Sequence, residues 1–152
     1  MRRGQVFAGV CLCALALVGC APSTPDHDEW RGKGDQAMSE VASNVATARL
    51  LLQQLRADRV HGAYAQTGVL DTETNAESAT SRFTALQPQP ADDDAYQRVG
   101  TVLSDAGDLL AQVRIAVVRR DDRAYPGLIR KLSSTLTDLS NEQARLGVGP
   151  PR

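Results

Sequence analysis

The chain has 152 residues, 17 basic and 18 acidic, and a net charge of −1; 42% of its residues are hydrophobic but only 4% are aromatic. Charge this balanced, with no concentrated basic stretch, argues against nucleic acid as a partner, and scarce aromatics argue against an aromatic-lined ligand pocket. Cys11, Cys13 and Cys20 are the only cysteines, so nothing beyond residue 20 can form a disulfide or offer a thiol for zinc or catalysis.

Met1-Arg2-Arg3-Gly4-Gln5 is a positively charged opening, and Val6 to Gly19 is apolar or small without interruption, ending at Cys20. That order describes a secretory signal peptide. The run is too short for a membrane-spanning helix, which takes about 20 apolar residues. Arg2-Arg3 raises twin-arginine export, but Gln5 stands where that signal wants an apolar residue, so the general secretory route is expected.

Leu17-Val18-Gly19-Cys20 resembles the lipobox of bacterial lipoproteins. The resemblance implies cleavage between Gly19 and Cys20, a diacylglycerol on the Cys20 sulfur, and usually a palmitate-type acyl group on the new amino terminus. Two or more chains, at about 0.8 kcal/mol per buried CH2, hold a protein stably to membrane lipid. The implied location is the extracytoplasmic face of the cell membrane. In a cell with two membranes, Ala21 rather than aspartate after Cys20 would point to the outer one. The alternatives are an ordinary cleaved signal peptide with a chance cysteine, or an uncleaved anchor.

Removing residues 1–19 leaves 133 residues carrying 15 basic and 18 acidic groups. That is room for one domain, burying about two-thirds of its surface. Residues 20–34 read as a lipidated, flexible tether. Pro22-Ser23-Thr24-Pro25 and the acid-rich Asp26-His27-Asp28-Glu29 are turn-forming and polar, and Gly32 and Gly34 are expected to break any helix. His27 between carboxylates offers a surface metal site, but a solvated spacer is the expected reading.

From Asp35, a plausible N-cap, apolar residues recur at helical spacing: Met38, Val41, Val45, Ala48, Leu52, Leu55. Gly62 is the expected C′ residue. The second stripe (Ala65, Val69, Thr72, Ala76, Ala79, Phe83, Leu86) is mostly small, so its helix must lie close to its neighbours, although Gly68 weakens its start by about 1 kcal/mol. Gln87-Pro88-Gln89-Pro90 then forms a stiff connector. Asp92-Asp93-Asp94 opens a third helix by capping free N–H groups. Tyr96, Val99, Leu103, Ala106, Leu110, Val113 and Val117 make its stripe, and Gly100, Ser104, Gly107 and Ala111 form a second ridge that would admit another helix closely. Pro126 starts the fourth helix, with Ile129, Leu132, Leu136, Leu139 and Leu146 inward and Gln143 the one polar member. Gly147 ends it, and 148–152 reads as a disordered tail.

Helices over 35–59, 63–87, 93–119 and 126–146, joined by short connections, predict an all-α domain at 35–147: an up-down-up-down antiparallel four-helix bundle. No Glu-x-x-His element of a di-iron bundle occurs. Asp58 and His61 share a helix face but make a weak pair. Asp71-Thr72-Glu73-Thr74-Asn75 begins like a calcium loop, yet Ala76 and Arg82 fail its sixth and twelfth places. With only His27 and His61 as bases, no nucleophile elbow and no phosphate loop, no catalytic machinery is visible, and no cofactor or metal is expected. The domain beyond the lipobox resembles small helical lipoproteins of GC-rich bacteria, a likeness that carries no function. The expectation is a non-enzymatic envelope interaction module, held to membrane lipid through acylated Cys20 and meeting an envelope protein. A small-ligand-binding bundle is the first alternative, a metal-dependent enzyme through His61 and nearby acids the last.

Overall fold

The computed structural model describes residues 26–147. The signal peptide, Gly19 and Cys20, tether residues up to 25 and the tail at 148–152 lie outside the described residues. The rest is all-helical: α1 (His27–Arg56), α2 (Gly62–Thr84), a 3-10 turn (Pro90–Asp92), α3 (Asp93–Arg119) and α4 (Tyr125–Leu146), with no strand among the described residues.

The start of α1 corrects the tether expected at 20–34. The helix begins eight residues before Asp35, capped by Asp26, whose carboxylate accepts from the Glu29 N–H at 2.8 Å. Asp28 and Glu29 in the first turn favour the positive end of the dipole. Gly32 and Gly34 do not break the helix, because packing outweighs their propensity cost of about 1 kcal/mol each. Trp30 is fully buried, and Gly34 lies where a Cβ would meet Leu146 Cδ1 at 3.2 Å and Phe83 Cε2 at 3.3 Å. Polar composition concealed a buried stripe with one large member.

At the other end α1 stops at Arg56, and the residue that turns the chain is Asp58 at φ 53°, not Gly62, which opens α2. In α2 the small inner face holds as expected: Ala65, Ala76 and Ala79 are buried. A Cβ on Gly68 would stand 2.7 Å from Leu51 Cδ1, so α1 and α2 approach to near contact there. The glycine that weakens the helix permits the packing.

α3 spans 93–119 as expected, but Asp92 does not cap it. Its side chain makes no cap bond; it is 2% exposed and turns to His27 instead. The expected ridge of Gly100, Ser104, Gly107 and Ala111 receives no helix: a Cβ on Gly100 or Gly107 would meet nothing within 4 Å. α4 starts at Tyr125 with Pro126 in its first turn and ends at Gly147, whose φ of 70° is the left-handed cap a glycine supplies without strain. Leu128 is buried on α4, while Ile129 and Leu136 pack at the core's margin.

One apolar core joins the four helices, and polar pairs at its rim record which positions meet. Arg31 donates to the Leu146 carbonyl at 3.0 Å, Gln143 reaches Asp35 and Ser39, and Arg49 donates to Ser133. Arg82 pairs with Glu40, Arg114 with Glu73, and the Tyr96 hydroxyl donates to the Thr84 carbonyl at 2.8 Å.

Candidate functional site

Three places in the bundle hold chemistry. The first surrounds the start of α1. Trp30, Phe83 and Tyr96 form a tilted ring cluster, with centroids 5.5–6.5 Å apart. Three of the five aromatics after the leader are therefore spent on closing this end of the core. Two carboxylates are buried nearby in sequence terms that gave no warning. Glu142 takes Arg98 Nε at 2.9 Å and Arg145 at 3.1 Å, which neutralises it. Asp92 takes His27 Nδ1, its two oxygens lying 2.7 and 2.8 Å away.

The His27–Asp92 pair is the constellation that orients an imidazole for base catalysis, with the carboxylate on Nδ1 and Nε2 left over. No hydroxyl among the described residues is hydrogen-bonded to His27. Two residues placed in separate roles by sequence, a spacer histidine and a capping aspartate, thus become one contact 65 positions apart. Nothing local in the chain announces it.

The second place is a groove between α1 and α2, divided by the Arg82–Glu40 ion pair. On one side is a cleft of about 290 Å³ with Ala37, Ala79, Phe83 and Leu86 on its floor; on the other is a polar cleft of about 280 Å³ bordered by Ser43, Asn44, Asn75 and Ser78. Its polar groups are largely engaged locally: Asn44 donates to the Glu40 carbonyl and Arg82 to Ser78. On the opposite side of α2, Arg114 donates to both carboxylate oxygens of Glu73 through its Nε and Nη2, a hydrogen bond and charge that raise the Arg114 pKa.

The third place is the largest of these, a cleft of about 450 Å³ where the 57–61 and 120–124 connections come together. Arg56, Asp58, Arg120, Asp122 and Tyr125 supply its polar lining; Leu55, Ala63 and Val117 supply its apolar floor. Two local motifs build it. After α1, Arg59 N–H bonds the Gln54 carbonyl at 2.9 Å and Asp58 N–H bonds Leu55; after α3, Asp121 N–H bonds Ala116 at 2.9 Å and Arg120 N–H bonds Val117. Both are Schellman endings, which put the C′ residue in the left-handed region. Asp58 (φ 53°) and Arg120 (φ 54°) occupy those positions, and they are the only non-glycine residues with positive φ among the described ones. Tyr125 is 2% exposed. Burial, then the charge of Asp122, pushes its phenol pKa up.

Of the residues weighed by sequence, Asp58 therefore lines a cleft, while His61 sits exposed at the N-cap of α2 without a side-chain cap bond. The 71–75 run lies within α2, with Thr72 buried and bonded to the Val69 carbonyl. No group of three or more potential metal-ligating side chains occurs among the described residues, and none of their helices is long and apolar enough to cross a membrane. Comparison with known families, with curated proteins and with solved structures returns no match.

Proposed function

We propose that this chain is a lipid-anchored, extracytoplasmic, non-enzymatic module: an up-down-up-down antiparallel bundle that works through contacts in the cell envelope. The observation that carries the reading is Leu17-Val18-Gly19-Cys20 behind a charged, apolar leader, seven residues ahead of His27, where α1 starts. Seven residues span at most about 25 Å, so the body would stand close to the lipid surface, without the longer spacer that residues 20–34 would have made.

The alternating topology is supported by the polar pairs: Arg98 near the start of α3 and Asp35 near the start of α1 both meet the end of α4, at Glu142 and Gln143, while Glu40 of α1 meets Arg82 near the end of α2. α1, with 30 residues at about 1.5 Å each, then runs about 45 Å. Its first turn lies beside the ring cluster and its last beside the 450 Å³ cleft. The anchored end would be the closed one, and the open, charged end would face away from the membrane.

Mass spectrometry of the mature amino terminus, with crosslinking of membrane neighbours in the same sample, tests this. A diacylglyceryl-modified Cys20 and a reproducible envelope partner are expected. Intact protein in the cytosol, leader uncut and Cys20 unmodified, would overturn it.

A further inference from the structure

The end cleft carries an inference beyond anchoring and contact. A Schellman ending wants glycine at C′, because a side chain in the left-handed region costs about 1 kcal/mol or more. Both endings here carry a charged residue instead, Asp58 and Arg120, and both side chains line the same cleft. Strain of this kind persists where the side chain is needed. Among the described residues, the side chains of Asp58, Arg120 and Arg56 make no hydrogen bond or ion pair, while the Asp122 carboxylate faces the Tyr125 hydroxyl at the cleft wall. The cleft therefore holds two guanidinium groups and two carboxylates that leave one another unpaired, beside an apolar floor of Leu55, Ala63 and Val117.

We propose that this cleft binds a small zwitterion, an α-amino acid or the free ends of a short peptide. Arginine's planar fork matches a carboxylate bidentately, so Arg56 and Arg120 take the ligand's carboxylate. Asp58 and Asp122 accept from its ammonium group. The apolar floor takes its side chain, and the volume lies within the range of small-ligand sites. A simple anion would leave both aspartates facing it, and a simple cation would leave both arginines. A ligand with both charges can pair with all four at once. This site is independent of the lipid anchor, so failure here leaves the anchoring reading untouched.

The test uses the full mature protein in mild detergent, titrated by calorimetry and ligand-observed NMR. The probes are leucyl-leucine, an equimolar mixture of the common L-amino acids, N-acetyl-leucyl-leucinamide and inorganic phosphate. Saturable binding of a zwitterionic probe is expected, weakened at least about tenfold by capping both ends. Asp58→Gly and Arg120→Gly should each weaken it at least about tenfold while leaving the urea midpoint unchanged or higher, a combination a purely structural role would not produce. Absence of saturable binding by every zwitterionic probe, equal binding of the capped peptide, binding of phosphate alone, or unaltered binding by both glycine variants would overturn the proposal.

Discussion

Trp30→Ala is the sharpest test of where the folded body begins. If residues up to 34 were a solvated spacer, truncating an indole there would change stability by less than about 0.5 kcal/mol. Trp30 is instead 0% exposed and packed against Phe83 and Tyr96 with its ring tilted to both. Burying an aromatic side chain removes about 150–250 Å² from water. At about 25 cal/mol per Å², that contributes about 4–6 kcal/mol. Against this stands the indole N–H, buried without a partner among the described residues, which costs about 1–3 kcal/mol and disappears in the variant. The net loss is about 3 kcal/mol, at the lower edge of measured tryptophan truncations. For a chain of this size that lowers Tm by about 12 °C. Trp30→Phe keeps most of the ring and removes the orphaned donor, so it should cost about 1 kcal/mol or less. Urea unfolding of the mature protein, followed by circular dichroism at 222 nm, measures both. An alanine variant as stable as the parent would refute the placement of 26–34 in the core.

The glycines give a set of opposed outcomes. Gly100→Ala and Gly107→Ala meet no neighbour and should each add up to about 1 kcal/mol by helix propensity, read as a rise in urea midpoint. Gly34→Ala gains the same propensity but must push two buried side chains that stand 3.2–3.3 Å away, and overpacking costs about 1–3 kcal/mol, so its midpoint should fall or stay level. Arg98→Ala leaves the buried Glu142 with Arg145 alone; the loss should be about 1–2 kcal/mol, below that of a fully buried pair because Arg98 is half exposed. For Tyr125 the raised pKa means the folded state holds its phenol proton more tightly than the unfolded state does. That stability is fully present below the ordinary value of 10.0 and is lost as pH rises above it. The wild-type chain should therefore lose stability above about pH 10 more steeply than Tyr125→Phe does, measured by urea midpoints across that range.

The helical periods of 93–119 and 126–146 were legible because leucines and valines on one face need no knowledge of a partner; burial follows from spacing alone. The resemblance of Leu17-Val18-Gly19-Cys20 to a lipobox is likewise carried by linear sequence alone. Gly147 ended α4 where a left-handed cap required it. The first turns of α1 were illegible for the opposite reason. Two glycines and five ionisable residues at 27–34 mask one tryptophan, and whether that indole is buried depends on Phe83 and Tyr96, 53 and 66 positions away.

The small-residue ridge of α3 shows the same limit in reverse: Gly100 and Gly107 permit a close helix, but permission does not supply one. Asp58 and Arg120 could be named as charged residues between helices; that both adopt a glycine's backbone and share one cleft follows only from how the connections meet. Spacing along the chain determined the helices. Tertiary structure alone decided which polar groups are buried together, because desolvation of Asp92, Glu142 and Tyr125 depends on surfaces brought from distant segments.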